Sequence, residues 1–306
     1  MRFFVFLHKQ FLNMKPFLKW AGGKGQLLEV ISSNLPLSFN TYVEPFVGSG
    51  AVLFDILSNR RNVERVVIND VNTDLINTYL CIKNNCQALI VELTNLQEQY
   101  LSADDEERTK LFYDVRDKYN KRTSSEVEQA SFFIFLNRTC FNGLYRVNSN
   151  NYFNVPHGKY KNPKICDKDN LASVSTALKG VDIWNGDYEK LKEVVTDGCF
   201  VYLDPPYKPI SETSAFTSYI AGGFGDDEQV RLKKFCDYIN QKGAYFMLSN
   251  SDPASVDSNN LFFDDLYSQY HIQRVLAKRA INSNGNNRGE VNELLITNYK
   301  NEALLF

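Results

Sequence analysis

CFVYLDPPY, residues 199–207, joins an apolar run to a rigid polar turn. The first five of these residues have the length and the β-branched and aromatic content of a buried strand. In an open α/β sheet, ligands bind just outside the carboxyl ends of the strands, and Asp204 directly follows this run. Because prolines contribute no N–H donor, the Asp204 carboxylate and the Pro205 carbonyl form a pair of acceptors. Such a pair matches the two donors of an exocyclic amino group, and Tyr207 offers a ring that can stack on the heterocycle carrying that group.

Composition limits the classes of protein to which this chain can belong. Its 306 residues suffice for one large α/β domain with an insertion or for two domains, and a hydrophobic content of 43% indicates a large core. No run approaches the roughly 20 apolar residues of a membrane span. Six cysteines without a C-x-x-C pair and only three histidines give no metal-ligand spacing, which predicts reduced thiols in a cytoplasmic protein. The net charge of −2 excludes a polycation, so contact with nucleic acid requires local basic patches.

Two blocks near the beginning of the chain contain glycine clusters. KPFLKWAGGKG, residues 15–25, precedes an amphipathic stretch from Gln26 to Asn34 that predicts a helix. Glycines before a helix let backbone N–H groups approach an anion, although this block does not match the P-loop pattern. TYVEPFVGSG, residues 41–50, predicts a strand and a turn before a helix that reaches Leu57.

An acidic residue at the end of the next strand completes a nucleotide-binding pattern. Asp70 follows the strand-like run 65–69 and stands twenty residues after Gly50. Glycines after one strand and an acid after the next allow a ligand to approach the backbone and supply a carboxylate for ribose hydroxyls. Leu53 replaces the third glycine of the dinucleotide fingerprint, so the pattern favours a single nucleoside over a dinucleotide.

Residues 73–136 change to helical periodicity with charged faces, most clearly in Asp74–Leu101 and Asp104–Arg122. They contain no strand pattern, which predicts a helical insertion that splits the α/β domain. In residues 137–161, Arg, Lys and Asn are interleaved with aromatic residues. Arg and Lys suit guanine edges, Asn suits adenine, and aromatic rings can wedge between stacked bases.

The α/β pattern then resumes. VDIWNGDY, residues 181–188, predicts a short strand that ends in Asp187 and Tyr188, a carboxylate and a ring placed to hold an adenine. The polar, glycine-rich stretch 211–227 is long for a connection, which favours a mobile loop over the pocket.

The end of the chain predicts one more helix and three more strands, over residues 226–241, 244–248, 271–277 and 291–299. The last two strands flank a connector, residues 278–288, that has three basic residues and no acid. Such a composition is typical of a loop that grips phosphates.

In this order the blocks resemble the DNA adenine-N6 methyltransferases of the Dam/DpnM type (D12 class, alpha group). The resemblance depends on FLKWAGGK (17–24), EPFVGSG (44–50), the acid at Asp70, NGLYR (142–146), FNVPHGKY (153–160), DPPY (204–207) and the late segment RAIN…NGNNR…ELL. It implies an α/β fold, with the Rossmann-like sheet of methyltransferases that use S-adenosyl-L-methionine (SAM), helices on both faces and an inserted, mainly helical DNA-recognition domain. The implied divisions are a disordered N-terminal extension (1–13), a SAM-binding catalytic domain (14–75 and 170–306) and a target-recognition insertion (76–169).

The activity that this resemblance implies is transfer of a methyl group from SAM to N6 of adenine in double-stranded DNA. The expected product of the cofactor is S-adenosyl-L-homocysteine, and no metal is expected. The expected target is GATC, with the adenine flipped out of the helix before in-line displacement. The implied protein is a cytoplasmic monomer encoded by a bacterium or a phage, makes no membrane contact and can accompany a cognate restriction endonuclease.

The resemblance also assigns the residues of the catalytic and cofactor sites. The expected catalytic residues are Asp204, Pro205, Pro206 and Tyr207. The expected cofactor-binding residues are Asp204 again and Trp20, Ala21, Gly22, Lys24, Glu44, Pro45, Phe46, Gly48, Gly50, Asp70, Asp187 and Tyr188. Within this set, Asp70 would bind the ribose hydroxyls, Asp187 the adenine amino group, and Trp20 and Lys24 the methionine end.

The expected DNA-binding residues come from three parts of the chain. They are Lys19, then Arg138, Phe141, Asn142, Leu144, Arg146, Pro156 and Tyr160 in the insertion, and Lys278, Arg279, Asn282 and Arg288 around the late connector. Lys19 and Tyr160 would read the outer guanine of GATC, and Arg146 would read a base pair near its centre. The insertion residues Asn142, Leu144 and Pro156 would fill the gap left by the flipped base or contact its neighbours. Phe141 stands where close relatives carry Tyr, so the ring is kept and the hydroxyl is lost.

Other functions fit the sequence less well. Cytosine-C5 methylation uses a thiolate in a Pro-Cys pair, and no proline of this chain precedes a cysteine. A zinc deaminase would carry the H-x-E…P-C-x-x-C signature, which is absent. Cytosine-N4 methylation uses the same amino-group chemistry, more often with Ser at the first position of the tetrapeptide, and stays an alternative. A non-catalytic DNA-binding relative of the fold also stays open, as does an NAD-dependent oxidoreductase, which the missing third glycine disfavours.

Overall fold

A single mixed sheet forms the centre of the molecule. The computed structural model describes residues 14–20, 22–60, 62–207, 224–278 and 290–300. Its strands in these ranges are β1 Thr41–Glu44, β2 Arg65–Asp70, β3 Val181–Asn185, β4 Cys199–Leu203, β5 Tyr245–Ser251, β6 His271–Lys278 and β7 Glu290–Thr297. They form one sheet in the order β3-β2-β1-β4-β5-β7-β6. Strands β1 to β5 are parallel, and β7 lies antiparallel between β5 and β6. The order 3-2-1-4-5 of the parallel strands is that of a Rossmann fold, so the predicted fold class is confirmed.

Both faces of the sheet are covered, which explains why the central strand β4, CFVYL, is apolar and buried along its whole length. In β1, Tyr42 lies in the core on one face and Val43 in the core on the other. Neither side chain is exposed to solvent. Side chains of successive strand residues point to opposite faces, so this alternation places one hydrophobic core on each side of the sheet.

Helices pack on both of these cores. Within the described ranges they are α1 Leu28–Ser33, α2 Ala51–Asn59, α3 Thr73–Asn84, α4 Cys86–Ser102, α5 Asp105–Lys121, α6 Glu126–Thr139, α7 Lys168–Leu178, α8 Asp226–Gln241 and α9 Phe262–Leu266. Helices α1 to α7 contribute buried residues to the first core, and α8 and α9 contribute to the second. Capping boxes begin α5, with Asp104 and Glu107, and α6, with Ser125 and Glu128.

Some predicted boundaries differ from the observed ones. The helical stretch 74–101 is two helices, because Asn85 has a non-helical conformation between α3 and α4. Apolar spacing continues across Asn85 since both helices pack on the same core, so periodicity alone does not reveal the break. The helix predicted to begin at Gln26 begins at Leu28, after a short 3-10 turn over Lys24–Gln26. The helix over 226–241 and the strand over 199–203 occur as predicted.

Several predictions concern residues that lie outside the described ranges. They are the N-terminal extension 1–13, Ala21, most of the loop 211–227, and Arg279, Asn282 and Arg288 of the late connector. Lys278 is the last residue of β6, directly before that connector. In the described parts of the chain, no helix is long and apolar enough to cross a membrane, and no three His, Cys, Asp or Glu side chains are grouped as metal ligands.

Candidate active site

Two turns meet at the carboxyl edge of the sheet. Strand β1 pairs with β2 on one side and with β4 on the other, so the strand order reverses between β1 and β4. A crevice forms at such a reversal, because the connections leave the two strands toward opposite faces of the sheet. The turn 45–50 follows β1 and the turn 204–207 follows β4. Both turns therefore border the crevice.

An ionic cluster lies at the end of β4. The Lys24 ammonium lies 2.8 Å from Asp204 Oδ1 and 3.8 Å from Glu293 Oε2, and it donates to the Gly22 carbonyl at 3.1 Å. The same ammonium lies 4.4 Å from the centroid of the Tyr207 ring, whose hydroxyl donates to Glu293 Oε2 at 2.7 Å. The Lys24 side chain is 4% exposed, whereas those of Asp204 and Glu293 are 20% and 21% exposed. Solvent, or a ligand, can therefore reach the two carboxylates while the ammonium between them is enclosed.

The protonation states in this cluster follow from burial and charge. Burial raises the pKa of the Asp204 carboxyl to about 6, the Lys24 ammonium lowers it, and the Glu293 carboxylate raises it. Asp204 is therefore ionised at neutral pH and becomes protonated as the pH falls through about 6. Burial also raises the pKa of Tyr207 well above its usual value, so its hydroxyl stays a donor.

The turn after β1 is built for close approach of its backbone. Gly48 and Gly50 have φ values of +48° and +76°, which favour glycine. The Gly48 N–H donates to Asp70 Oδ2 at 3.1 Å, and the Asn72 N–H donates to Asp70 Oδ1 at 2.9 Å. Burial raises the pKa of Asp70 to about 6, although hydrogen bonds from backbone N–H groups lower it. The glycine turn and Asp70, which were predicted to belong to one nucleotide-binding pattern, thus meet through a direct hydrogen bond.

Asn69 is a residue of this edge that the sequence reading missed. Its side-chain amide donates to the Pro45 carbonyl at 3.0 Å and to the Gly186 carbonyl at 2.9 Å. Its side chain therefore connects the turn after β1 with the turn after β3. The one signal in the sequence is an amide directly after the apolar run 66–68. In the structure Asn69 is only 1% exposed.

Trp20 connects the glycine turn with the helical insertion. Its ring stacks on Tyr145 with centroids 5.6 Å apart and an interplanar angle of 19°. A Cβ added to Gly48 would lie 3.2 Å from the Trp20 ring, so the indole packs directly on this glycine. Glu44, at the end of β1, is buried and accepts a hydrogen bond of 2.8 Å from the Tyr42 hydroxyl. Burial raises the pKa of Glu44 well above its usual value, and the hydrogen bond from Tyr42 lowers it.

The predicted adenine-holding residues have partners of their own. Phe46 and Tyr188 lie with ring centroids 5.1 Å apart, and Tyr188 is only 4% exposed. Asp187 is exposed, and both its oxygens bind Arg231, at 2.6 and 2.9 Å. Partial burial would raise the pKa of Asp187, but the hydrogen bonds from Arg231 and from the Glu189 N–H lower it. Asp187 is therefore an ionised carboxylate whose charge Arg231 balances.

The basic and aromatic block of the insertion folds back on itself beyond α6. Isolated bridges pair Cys140 with His157 and Val147 with Phe153 in antiparallel fashion. Phe141 at one end of this hairpin is 51% exposed, and its N–H donates to the carbonyl of exposed Pro156 at 2.9 Å. Phe141 and Pro156 thus stand side by side with an aromatic ring facing solvent.

Lys19 packs against the base of the hairpin. The buried Asn137 side chain accepts from the Lys19 N–H at 2.8 Å and donates to the carbonyls of Lys19 and Gly143 at 2.7 and 3.0 Å. The Lys19 ammonium lies 4.6 Å from the centroid of the Tyr160 ring, whose hydroxyl accepts from the Asn142 N–H at 3.1 Å. The structure therefore brings together four of the residues predicted to contact DNA, namely Lys19, Asn142, Tyr160 and, next to Gly143, Leu144.

The two arginines predicted to bind DNA differ in their surroundings. Arg146 is exposed and its Nε donates to Asn154 Oδ1 at 2.7 Å. Arg138 is partly buried and donates to the Phe17 carbonyl at 2.8 Å, and burial lowers its pKa. Arg138 thus lies below the hairpin, bound to the segment that leads to Lys19.

Comparisons with known proteins cover both the turn 204–207 and the helical residues 76–169. The family model for "D12 class N6 adenine-specific DNA methyltransferase" matches residues 20–281. The Type II methyltransferase M.MjaIII of Methanocaldococcus jannaschii is 49% identical over 296 residues, covering 94% of this chain and 100% of the relative. The Type II methyltransferase M1.LlaDCHI of Lactococcus lactis subsp. cremoris is 42% identical, covering 96% and 99%. The DNA adenine methylase of Haemophilus influenzae is 33% identical, covering 93% of both chains. The chain therefore belongs to the D12 class of N6 adenine-specific DNA methyltransferases.

Proposed function

We propose that this enzyme transfers a methyl group from SAM to N6 of an adenine that is flipped out of double-stranded DNA, within the site GATC. The observation that carries the proposal is the Asp204 carboxylate at the end of β4, which binds a cation that faces the Tyr207 ring. The Pro205 carbonyl would be the second acceptor. An adenine amino group has two N–H donors for such a pair. Because the amino group of a stacked base cannot reach this turn, the target base has to leave the helix.

The crevice between β1 and β4 offers groups that fit SAM. Asp70 accepts two backbone N–H groups and keeps further lone pairs for ribose hydroxyls. Trp20 and Lys24 would hold the methionine end, while Asp187 would bind the adenine amino group and share its charge with Arg231. The other residues proposed to line this site are Gly22, Glu44, Pro45, Phe46, Gly48, Gly50, Tyr188 and Asp204, with Ala21 outside the described residues.

The chemistry of the site follows from the acceptors on Asp204 and Pro205. SAM, when bound, supplies an electrophilic methyl group on a positively charged sulfonium. The lone pair of an aromatic amine is delocalised into the ring, and hydrogen bonds from N6–H to the two acceptors favour a pyramidal nitrogen. The Asp204 carboxylate also stabilises the positive charge that develops on N6. Orientation also contributes to the rate of transfer, because Tyr207 would stack on the flipped adenine ring and hold N6 in line with the methyl–sulfur bond of SAM. Asp204 need not be a strong base, because the proton can leave after the methyl group has been transferred.

The hairpin beyond α6 is the proposed reader of DNA. We propose that Lys19 and Tyr160 contact the outer guanine and that exposed Arg146 contacts a base pair near the centre of the site. The exposed ring of Phe141 and its neighbours Asn142, Leu144 and Pro156 would fill the gap left by the flipped base. Lys278 and the connector after it would bind phosphates, and Arg138 would support the segment that carries Lys19.

The remaining features of the proposal concern organisation. We propose that residues 14–75 and 170–306 form the catalytic part, that residues 76–169 recognise the target, and that the enzyme works as a cytoplasmic monomer. Two relatives bear names of Type II methyltransferases, which supports a partnership with a restriction endonuclease of the same site.

Transfer of labelled methyl from SAM tests the proposal directly. We expect label on a duplex that contains GATC, no label on a duplex with those four bases permuted, and N6-methyladenine in the digest. Label on genomic DNA but on neither duplex would contradict GATC as the recognition site and would still support DNA methyltransferase activity. N4-methylcytosine in the digest would show that the target is the amino group of cytosine and not that of adenine. No transfer to any DNA would contradict the catalytic proposal.

The activity should depend on pH through two buried carboxyls. Asp70 and Asp204 both have a pKa raised to about 6 by burial, and both are proposed to act in the ionised form. Protonation removes that form as the pH falls, so kcat/KM for SAM should drop about tenfold to a hundredfold per pH unit below pH 6, depending on whether one or both protons matter. Initial rates between pH 5 and 8, with unfolding followed at each pH, measure this slope. A constant kcat/KM down to pH 5 would show that neither carboxyl has to be ionised.

A further inference from the structure

Glu293 lies beside the catalytic turn although it is far away in sequence. It stands on β7 and pairs with Ser251 of β5 in the antiparallel register. Because β7 is antiparallel to β5 and therefore to β4, the beginning of β7 lies at the carboxyl edge of the parallel strands. The carboxylate of Glu293 therefore reaches the same edge as Asp204.

One carboxylate oxygen of Glu293 serves two partners. Glu293 Oε2 accepts the hydrogen bond from the Tyr207 hydroxyl at 2.7 Å, and the Lys24 ammonium lies 3.8 Å from the same oxygen. Lys24 is closer to Asp204, at 2.8 Å. The ammonium therefore has a near carboxylate and a farther one, and Tyr207 is fixed to the farther one.

Lys24 occupies the contacts that the target adenine needs. Its ammonium uses Asp204 Oδ1 and faces the Tyr207 ring at 4.4 Å from the centroid. In the proposed function these two groups bind the adenine amino group and stack on the adenine ring. The base and the ammonium thus compete for Asp204 Oδ1 and for the face of the Tyr207 ring, and we infer that Lys24 withdraws from Asp204 when the base enters. Withdrawal is costly for an enclosed cation unless another anion accepts it.

We propose that Glu293 is a positioning residue of the methyl-transfer site, which receives the Lys24 ammonium when the target adenine takes its place at Asp204 and which fixes the Tyr207 ring through its hydroxyl. This inference rests on the proposed function. With one ammonium and two carboxylates, the cluster carries a net charge of −1. The exchange keeps Lys24 paired with Glu293 and leaves the Asp204 carboxylate free to face the positive charge that develops on N6.

Glu293→Gln tests the inference, with Glu98→Gln on the exposed face of α4 as the matched control. Flipping is followed by the fluorescence of 2-aminopurine at the target position, and transfer by single-turnover rates with saturating SAM. We expect Glu293→Gln to reduce both the fluorescence gain and the rate about tenfold, as loss of one charged acceptor predicts, while SAM affinity changes less than about twofold. Glu98→Gln should behave as the wild type.

The pH profile separates positioning from a structural role. The negative charge of Glu293 raises the pKa of Asp204, so its removal should move the acid limb of the transfer rate to lower pH. Tyr207→Phe removes the hydrogen bond and keeps the charge, so it should slow transfer and leave the acid limb in place. The inference would be overturned by a Glu293→Gln enzyme whose transfer rate, base flipping and acid limb of the pH profile all equal those of the wild type. A Tyr207→Phe enzyme with wild-type flipping and rate would also overturn it, even if the Glu293 variant did not fold. Absence of methyl transfer by the wild type would instead contradict the proposed function itself.

Discussion

Replacing Asp204 by alanine is expected to reduce methyl transfer to DNA about 10³-fold, the upper end of the range seen when a group that stabilises transition-state charge is removed. The substitution deletes one of two acceptors for the adenine amino group and the only carboxylate in direct contact with it in the proposed complex. The Pro205 carbonyl alone can orient one N–H, but it provides no charge to oppose the developing cation. The measurement is the single-turnover transfer rate to a GATC duplex.

The control for this prediction concerns Lys24. Its enclosed ammonium loses its nearest partner in Asp204→Ala and keeps the Gly22 carbonyl at 3.1 Å and Glu293 at 3.8 Å. Asp204→Asn retains an oxygen for Lys24, so its free energy of unfolding should lie closer to that of the wild type than the value for Asp204→Ala. Its methyl transfer should still be about 10²-fold slower than that of the wild type, because the amide is neutral. Retention of full activity by either variant, with a native circular-dichroism spectrum, would remove Asp204 from the mechanism.

Local patterns were enough to place the parts of this site that follow strands. The run 199–203 is a buried strand, and the spacing from Gly50 to Asp70 does place a carboxylate against the glycine turn, where Gly48 N–H binds it. The strand is confirmed because short-range periodicity determines it, and Asp70 meets the glycine turn because strand ends in a parallel sheet collect at one edge. The role of Asp70 toward ribose hydroxyls stays a prediction.

Residues joined by long-range pairing could not be found in this way. Glu293 reaches Tyr207 only because β7 inserts antiparallel between β5 and β6, and no local pattern states that order. Asn137 holds Lys19 across 118 positions, and Arg231 holds Asp187 across 44. In each case one partner is a polar residue on a helix or strand. The local periodicity of the sequence predicts that helix or strand, but it does not predict which distant residue the side chain contacts. The partner, and therefore the charge balance of the site, depends on the assembled sheet.

The conformation of Gly50 leads to a second large expected effect, this time on stability and cofactor binding. Gly50 is the N-cap residue of α2 and has φ +76°, and a Cβ at this position would lie 2.5 Å from the Tyr79 hydroxyl oxygen. Alanine therefore meets a left-handed conformation, which costs about 1–2 kcal/mol, and a clash with a buried side chain whose hydroxyl donates to the Gly48 carbonyl at 3.0 Å. Together these effects should lower the free energy of unfolding by about 2–4 kcal/mol.

Gly180→Ala is the matched control, because a Cβ there meets no atom within 4 Å and the backbone has no positive φ. It should change the free energy of unfolding by less than about 0.5 kcal/mol. Gly50→Ala should lower Tm by about 3–6 °C and weaken SAM binding about tenfold or more, since moving Tyr79 displaces the turn that holds Asp70. Adding Tyr79→Phe removes the nearest of the atoms that the new Cβ meets and leaves the Phe54 ring at 3.1 Å, so the double variant should be more stable than the sum of the single effects predicts. Thermal unfolding with and without SAM measures all of these quantities, and a Gly50→Ala protein with the Tm and SAM affinity of Gly180→Ala would show that the turn tolerates a side chain.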